Sequence, residues 1–160
     1  MRKNQKGFSL IELLIVVAII LIIAAIAIPN LLRSKMAANE ASAVGSLRSI
    51  NTACVTFSST YGIGFPTILG DLKPVASGAT ATSTAADLID NVLASGIKSG
   101  YTFLLTGAAP AGGIVQTYTA TAVPVTPGQT GNRYFFTDQS FVIRQNTSTT
   151  AAVTDSPIGN

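Results

Sequence analysis

The chain has no histidine and a single cysteine, Cys54, among its 160 residues, and only 11% of its side chains are charged. Without histidine no Ser-His-Asp triad can be assembled. One cysteine without histidine cannot supply the usual nitrogen and sulfur ligands of zinc, and a lone thiol excludes any disulfide within the chain. No GxxxxGK[ST] phosphate loop and no GxGxxG turn is present. Beyond the first third of the chain the only acids are Asp71, Asp87, Asp90, Asp138 and Asp155. Asp87 and Asp90 stand three apart and could pair as carboxylates, but helix capping and solvation explain them more simply. The expectation is a protein with no catalytic residue, no cofactor and no metal, hence not an enzyme. Cys54, set in an apolar helical stripe, reads as a buried and inert thiol.

What the chain does have is concentrated near its start. A short basic, polar leader, residues 1–7, meets an apolar run over residues 8–28 that holds fifteen Leu, Ile, Val or Phe residues and one acid, Glu12. Each of those apolar residues favours insertion into a bilayer by ~0.3–0.6 kcal/mol, against a cost of at most roughly 3 kcal/mol for a central acid. Insertion wins. As a helix the run would measure about 31 Å, the thickness of a hydrocarbon core of roughly 30 Å. One transmembrane helix is expected.

Glu12 stands one turn after Phe8. It could reach the headgroup region as a snorkelling interfacial acid, but an intramembrane acid points first to a paired, functional role. A cut after Gly7 would create a matching positive group, the α-amine of Phe8. Arg2, Lys3 and Lys6 of the leader account for the whole +3 excess of ten basic over seven acidic residues. The rest of the chain balances, so no nucleic-acid partner is expected. The positive leader favours an N-in orientation, weakly, because Arg33 and Lys35 flank the other end.

Lys6-Gly7-Phe8-Ser9-Leu10-Ile11-Glu12-Leu13, followed by an apolar run ending at Pro29-Asn30-Leu31, resembles the N-terminus of type IV prepilins and type II secretion pseudopilins. The resemblance covers about residues 6–32. It implies cleavage after Gly7 by a membrane-embedded prepilin peptidase, N-methylation of Phe8, and pairing of Glu12 with the Phe8 amine of a neighbouring subunit. It also implies loosening of the helix around Pro29, which removes a backbone donor and crowds the carbonyl of Ala25. The adaptable segment is expected over residues 21–29, with Gly45 a weaker second site. A competing signal is Ala25-Ile26-Ala27, which fits an ordinary secretory cleavage site, although the apolar run is too long for one and contains Glu12.

Beyond the membrane segment Met36, Val44, Leu47, Ile50, Cys54, Phe57 and Tyr61 recur at three- or four-residue steps. They form an amphipathic helical face. Arg33, Asn39, Glu40, Arg48, Asn51, Ser58 and Ser59 lie between them and are expected to meet water or neighbouring subunits. Residues 62–74 read as a turn-rich connection, with a Phe65-Pro66-Thr67 pattern that loosely resembles major pseudopilins, and residues 77–86 as a surface loop. Thr84 is placed to cap a helix over residues 85–95, with Leu88, Ile89 and Val92 on its inner side. Strands are expected over residues 101–105, 114–125, 133–137 and 141–145. They should form an antiparallel sheet of three or four strands covered by the apolar stripe of the helix.

The expected architecture is therefore α+β, a pilin-like lollipop in which a long N-terminal helix packs on a small antiparallel β-sheet head. Its parts are a cleaved leader over 1–7, a transmembrane helix over 8–30, an amphipathic helix over 31–61 and the loop and sheet region of the head over 62–160. The function implied is a structural subunit of a type IV pilus-like filament. Its partners would be further copies of itself, the prepilin peptidase and methyltransferase, and an assembly platform in the inner membrane. It would sit in a bacterial inner membrane with the N-terminus cytoplasmic and the head periplasmic, then in a pilus at the cell surface. Two alternatives remain open: a pseudopilin of a type II secretion system in a periplasmic pseudopilus, and a membrane-tethered binding module that presents Tyr134, Phe135, Phe136 and Phe141 as an aromatic surface. Calcium is implied for some pseudopilins, but Asp138 and Asp155 are too few for the about six to eight oxygens it takes, and turn roles are the simpler expectation. Asn146-Thr147-Ser148 matches a glycosylation sequon.

Overall fold

The computed structural model describes residues 7–159, so the leader expected over 1–7 lies outside the described residues except for Gly7. The chain divides into two compact units, the first ending at Lys35 and the second beginning at Met36. Helix α1, Leu10–Tyr61, contributes to both and is assigned as helix through Pro29. In the first unit its side chains are exposed almost throughout, and nothing in the described chain covers them. This is the one described helix long and apolar enough to cross a membrane, by length and composition.

The end of α1 follows from a single glycine. Gly62 has φ of +65°, a conformation that costs a residue without Cβ nothing, and its N–H bonds the Ser58 carbonyl. That is the αL cap that satisfies one of the last open carbonyls.

In the second unit α1 buries Glu40, Ala43, Leu47, Ile50, Cys54 and Phe57, spaced at three or four residues. The apolar members of this stripe share one core with a five-stranded antiparallel sheet in sequential order. The strands are β1 Ile97–Lys98, β2 Tyr101–Gly107, β3 Tyr118–Pro124, β4 Tyr134–Asp138 and β5 Arg144–Asn146. Inward-facing Tyr101, Phe103 and Leu105 alternate with exposed residues along β2, the period-two pattern of a sheet with one wet face. Tyr118, Ala120 and Ala122 face inward with the same period on β3, between an exposed Thr119 and the half-buried Thr121 and Val123. Truncating a fully buried residue such as Leu47 would cost about 2–5 kcal/mol.

The sheet is larger than expected because β1, only two residues long, adds a fifth strand. The strand expected over 114–125 is confined to β3, since Val115 instead bridges Gly64 and Ile114 bridges Ala111. The last strand begins at Arg144 rather than 141, because Phe141 adopts φ of +61° and leaves the extended region.

The helix expected over 85–95 is reduced to α2, Asn91–Ala94, and its cap is Asp90, not Thr84. The reason lies in the backbone. Asp87 has φ of +56°, and the N–H groups of Ala86, Asp87, Leu88 and Ile89 donate to carbonyls of Asp71, Lys73 and Leu72. Donors spent on the segment around the 3-10 turn Leu69–Leu72 cannot start a helix. Ile89 and Leu93 are buried, whereas Val92 is exposed, against the expected inner face.

Candidate functional site

At the start of the chain the functional residues expected from the sequence sit on a helix terminus. Gly7, Phe8 and Ser9 precede α1 in non-helical conformation, and Phe8 is 75% exposed. Glu12 falls in the first turn, where a negative charge complements the helix dipole. Its Oε2 accepts the backbone N–H of Ser9 at 2.9 Å. This is one half of a capping box, Ser9-Leu10-Ile11-Glu12, in which the third-position acid satisfies an otherwise open donor. The Ser-x-x-Glu spacing was a readable signal for that role, and the sequence reasoning passed over it. Pro29 stands seventeen residues further on, about 26 Å along a helical rise, so it is not brought to Glu12.

Chemically, the Glu12 carboxylate is partly satisfied by one neutral N–H. Among the described residues it has no positive partner, since the only ion pairs are Lys98–Asp90 and Arg133–Glu40. Among the described residues, this carboxylate at the head of an apolar helix has one hydrogen bond and no counter-charge.

The head contains polar connections that the periodicity of α1 did not reveal. Asn39, Glu40 and Asn51, expected to face water, turn toward the sheet and its turns. Glu40 Oε1 accepts the N–H groups of Asn132 and Arg133 at 2.8 and 3.2 Å, and Oε2 accepts Arg133 Nε at 2.7 Å. Arg133 also donates from Nη1 to Gln145 and stacks its guanidinium over Phe135. Burial pushes the Glu40 carboxyl up, but the hydrogen bonds from Asn132 and Arg133 and the Arg133 charge outweigh it, leaving the group below its ordinary value. Asn39 Nδ2 donates to the Thr130 carbonyl. Asn51 receives the Tyr118 hydroxyl at 2.8 Å and donates to Thr137 Oγ1 at 3.0 Å, all three within the core. Periodicity assigns such residues to the outer face because it cannot see partners that arrive from ninety residues away.

The remaining candidates resolve into structural roles. Cys54 is buried and its thiol is pushed up to about 12, chiefly by burial, with a Tyr118 hydrogen bond acting the other way. Asp90 caps α2 and pairs with Lys98 at 2.9 Å. Asp138 accepts the Ser140 N–H, and Asp155 accepts Asn146 Nδ2 and the Ala152 N–H. No cluster of three metal-ligating side chains occurs among the described residues. Asn146 Oδ1 receives the Ser148 N–H and hydroxyl, so the sequon asparagine is engaged in its own turn. Phe135 and Phe136 are buried, which removes two of the four aromatics from the surface envisaged for a binding module.

Residues 2–28 match the family described as the prokaryotic N-terminal methylation motif. Three curated relatives are similar to part of the chain. The major component of the type IV wide pilus of Thermus thermophilus is 63% identical over 38 residues, 24% of this chain and 29% of that protein. The type IV major pilin protein of Myxococcus xanthus is 48% identical over 54 residues, 34% of this chain and 24% of that protein. The type IV major fimbrial protein of Dichelobacter nodosus is 48% identical over 58 residues, 34% of this chain and 37% of that protein. The chain thus spans about a quarter to somewhat over a third of the relatives it matches. No solved structure matches it.

Proposed function

We propose, from an N-terminus of the type IV prepilin kind, that this chain is a structural subunit of a type IV pilus-like filament and not an enzyme. The observation that carries the reading is the position of Glu12: an acid in the first turn of a 52-residue helix whose first half is apolar and uncovered. An uncovered apolar helix must be buried in lipid or against other helices, and a filament of identical subunits supplies the second environment after the membrane has supplied the first. The names of the three relatives, all pili or fimbriae, support a pilus over a secretion pseudopilus.

In this reading a prepilin peptidase cuts after Gly7 and the new amine of Phe8 is methylated. The subunit waits in the inner membrane with its head on the periplasmic side, and an assembly platform moves it into the growing filament. Glu12 already holds the Ser9 N–H in the isolated chain. The Phe8 amine of a neighbour would then complete the charge balance of its carboxylate and set the axial register, because a buried acid without its counter-ion is unfavourable. Pro29, which removes one helix hydrogen bond, lets residues 21–29 adapt to the packed state.

The experiment has two arms. Mass analysis of the mature subunit should show loss of residues 1–7 and one added methyl group; loss of everything through Ala27 would instead mean an ordinary secretory signal. Glu12→Ala should be processed normally yet yield few filaments by electron microscopy of sheared cells. A normal filament yield from that variant would remove Glu12 from assembly.

A further inference from the structure

A pocket of about 280 Å³ opens in the head where three connecting segments meet beside Phe57 of α1. Its floor is apolar. Phe57, Phe65 and Val115 line it, and the ring of Phe65 packs on Tyr118 with centroids 4.9 Å apart. The walls carry the hydroxyls of Thr67, Ser83 and Thr84 and the carboxylate of Asp71, the one charged side chain of the lining among the described residues. Main-chain hydrogen bonds tie these walls together. The Phe65 N–H donates to the Val115 carbonyl and the Val115 N–H to the Ile63 carbonyl, joining the segment after α1 to the turn over 111–114. The Ala86 N–H donates to the Asp71 carbonyl, joining the turn over 82–85 to the 3-10 turn. A pocket framed in this way is formed before any ligand arrives, which lowers the cost of binding. Its volume lies just under the roughly 300 Å³ at which ligand pockets usually begin, so it suits one side chain or a molecule of that size.

Asp71 uses only half of its carboxylate within the chain. Its Oδ2 accepts the Thr67 N–H, the Thr67 hydroxyl and the Ile68 N–H at 3.0, 2.8 and 3.1 Å, and Oδ1 accepts no hydrogen bond among the described residues. Asp71 takes part in neither of the described ion pairs. Three bonds therefore hold the carboxylate in place and leave one oxygen free for a donor from outside. We infer that this pocket binds an alkylammonium group, its nitrogen at Asp71 and its methylene stem on the apolar floor.

The lining selects that chemistry. One carboxylate and three hydroxyls fall short of the about six to eight oxygens that calcium takes. An anion would meet the like charge of Asp71, and a wholly apolar guest would cover Oδ1 without giving it a donor. A primary ammonium carries three donors, one for Asp71 and two for the hydroxyl oxygens of Ser83 and Thr84, while its stem buries against Phe65 and Val115. A lysine side chain of another protein and a free alkylamine share this chemistry. All the lining residues belong to the head, so the inference holds independently of the filament reading.

The test follows the backbone amide resonances of the full chain, labelled with nitrogen-15 in a non-ionic detergent, as n-butylamine is added. Parallel titrations with n-butanol and butyrate present a similar shape with no charge and with the opposite charge. n-Butylamine should move the amides of Thr67, Ile68, Ser83 and Thr84 and saturate at millimolar concentration, n-butanol should bind roughly tenfold more weakly, and butyrate should leave those amides unmoved. Asp71→Asn keeps an acceptor for the Thr67 and Ile68 N–H groups, so it should melt as the wild type does and bind the amine roughly tenfold more weakly. Thr84→Phe fills the pocket from an exposed position without altering Asp71 and should abolish binding. A lysine tripeptide with blocked ends separates the two sources: movement of the same amides assigns the pocket to lysine side chains, and movement with n-butylamine alone assigns it to free amines. No movement with either amine, equal binding of n-butylamine and n-butanol, or unchanged binding by a folded Asp71→Asn would each overturn the inference. The comparison of amine with alcohol needs no variant and decides the matter even where Asp71→Asn fails to fold.

Discussion

Nε of Arg133, on the turn entering β4, lies 2.7 Å from Oε2 of Glu40 on α1, although 93 positions separate the two residues in the chain. The same carboxylate also caps the N–H groups of Asn132 and Arg133. One acid thus fixes both the turn before β4 and the height of the helix against it. Removing it should loosen a whole edge of the head. Glu40→Ala is expected to lower the stability of the head by about 1–3 kcal/mol, below the cost of breaking a fully buried pair because the Arg133 side chain is 40% exposed. Denaturant unfolding of the full chain in detergent, followed by near-ultraviolet circular dichroism, measures it.

The same carboxyl gives the head an acid-sensitive edge. Its folded value lies below the ordinary 4.5 despite burial, which acts upward, because the bonds from Asn132 and Arg133 and the Arg133 charge prevail. A depressed acid contributes stability that is fully present above its unfolded value and is lost as pH falls through its folded value. Melting temperature should therefore hold above about pH 5 and drop below about pH 4, and Glu40→Gln should flatten that drop. An equally steep acid loss in Glu40→Gln would assign it to other carboxyls.

Asn51 joins Tyr118 and Thr137 inside the core. Asn51→Ala leaves the Tyr118 hydroxyl buried without its acceptor and should cost about 1–3 kcal/mol. The companion Asn51→Ala, Tyr118→Phe double variant removes that orphan group. It should recover part of the loss, and a strictly additive double-variant cycle would show that the two side chains do not act as a pair.

Cys54 should resist alkylation in the folded protein. With its thiol pushed up to about 12, chiefly by burial, almost no thiolate is present at pH 8, and the side chain is out of reach. Maleimide labelling should appear only on addition of denaturant. Fast labelling of the native protein would mean that its core opens.

Gly64 tolerates no side chain. Its φ is +83°, and an added Cβ would run into the Val115 carbonyl, which at the same time accepts the Phe65 N–H. Gly64→Ala should destabilise the head by at least ~1–3 kcal/mol from backbone strain alone, read as a lower melting temperature with unchanged insertion of the apolar helix in membranes.

Much of this was legible in the residues because the signals are local. An apolar run of bilayer length, a first-turn acid and a three-and-four spacing from Leu47 to Phe57 each follow from neighbours within a turn or two of helix. The strand at 101–105 was equally plain, since Tyr101, Thr102 and Phe103 are aromatic or β-branched and the run lies between the glycines at 100 and 107. The helix expected over 85–95 was misjudged because the backbone donors of residues 86–89 are drawn off by Asp71, Leu72 and Lys73, some fifteen residues earlier. The inward turn of Glu40 and Asn51 was missed for the same kind of reason: a polar residue reads as solvent-facing until its buried partner is known.

The sequence by itself determined that this chain carries an apolar run of membrane length, preceded by a short basic segment and holding an acid near its start, because such signals depend on the composition and order of adjacent residues. Only the tertiary structure decided which polar side chains of the helix hold the head, and which residues of β4 are buried. Those facts depend on which strands lie side by side, and strand register is settled by contacts between residues distant in the chain, for which no local pattern stands proxy.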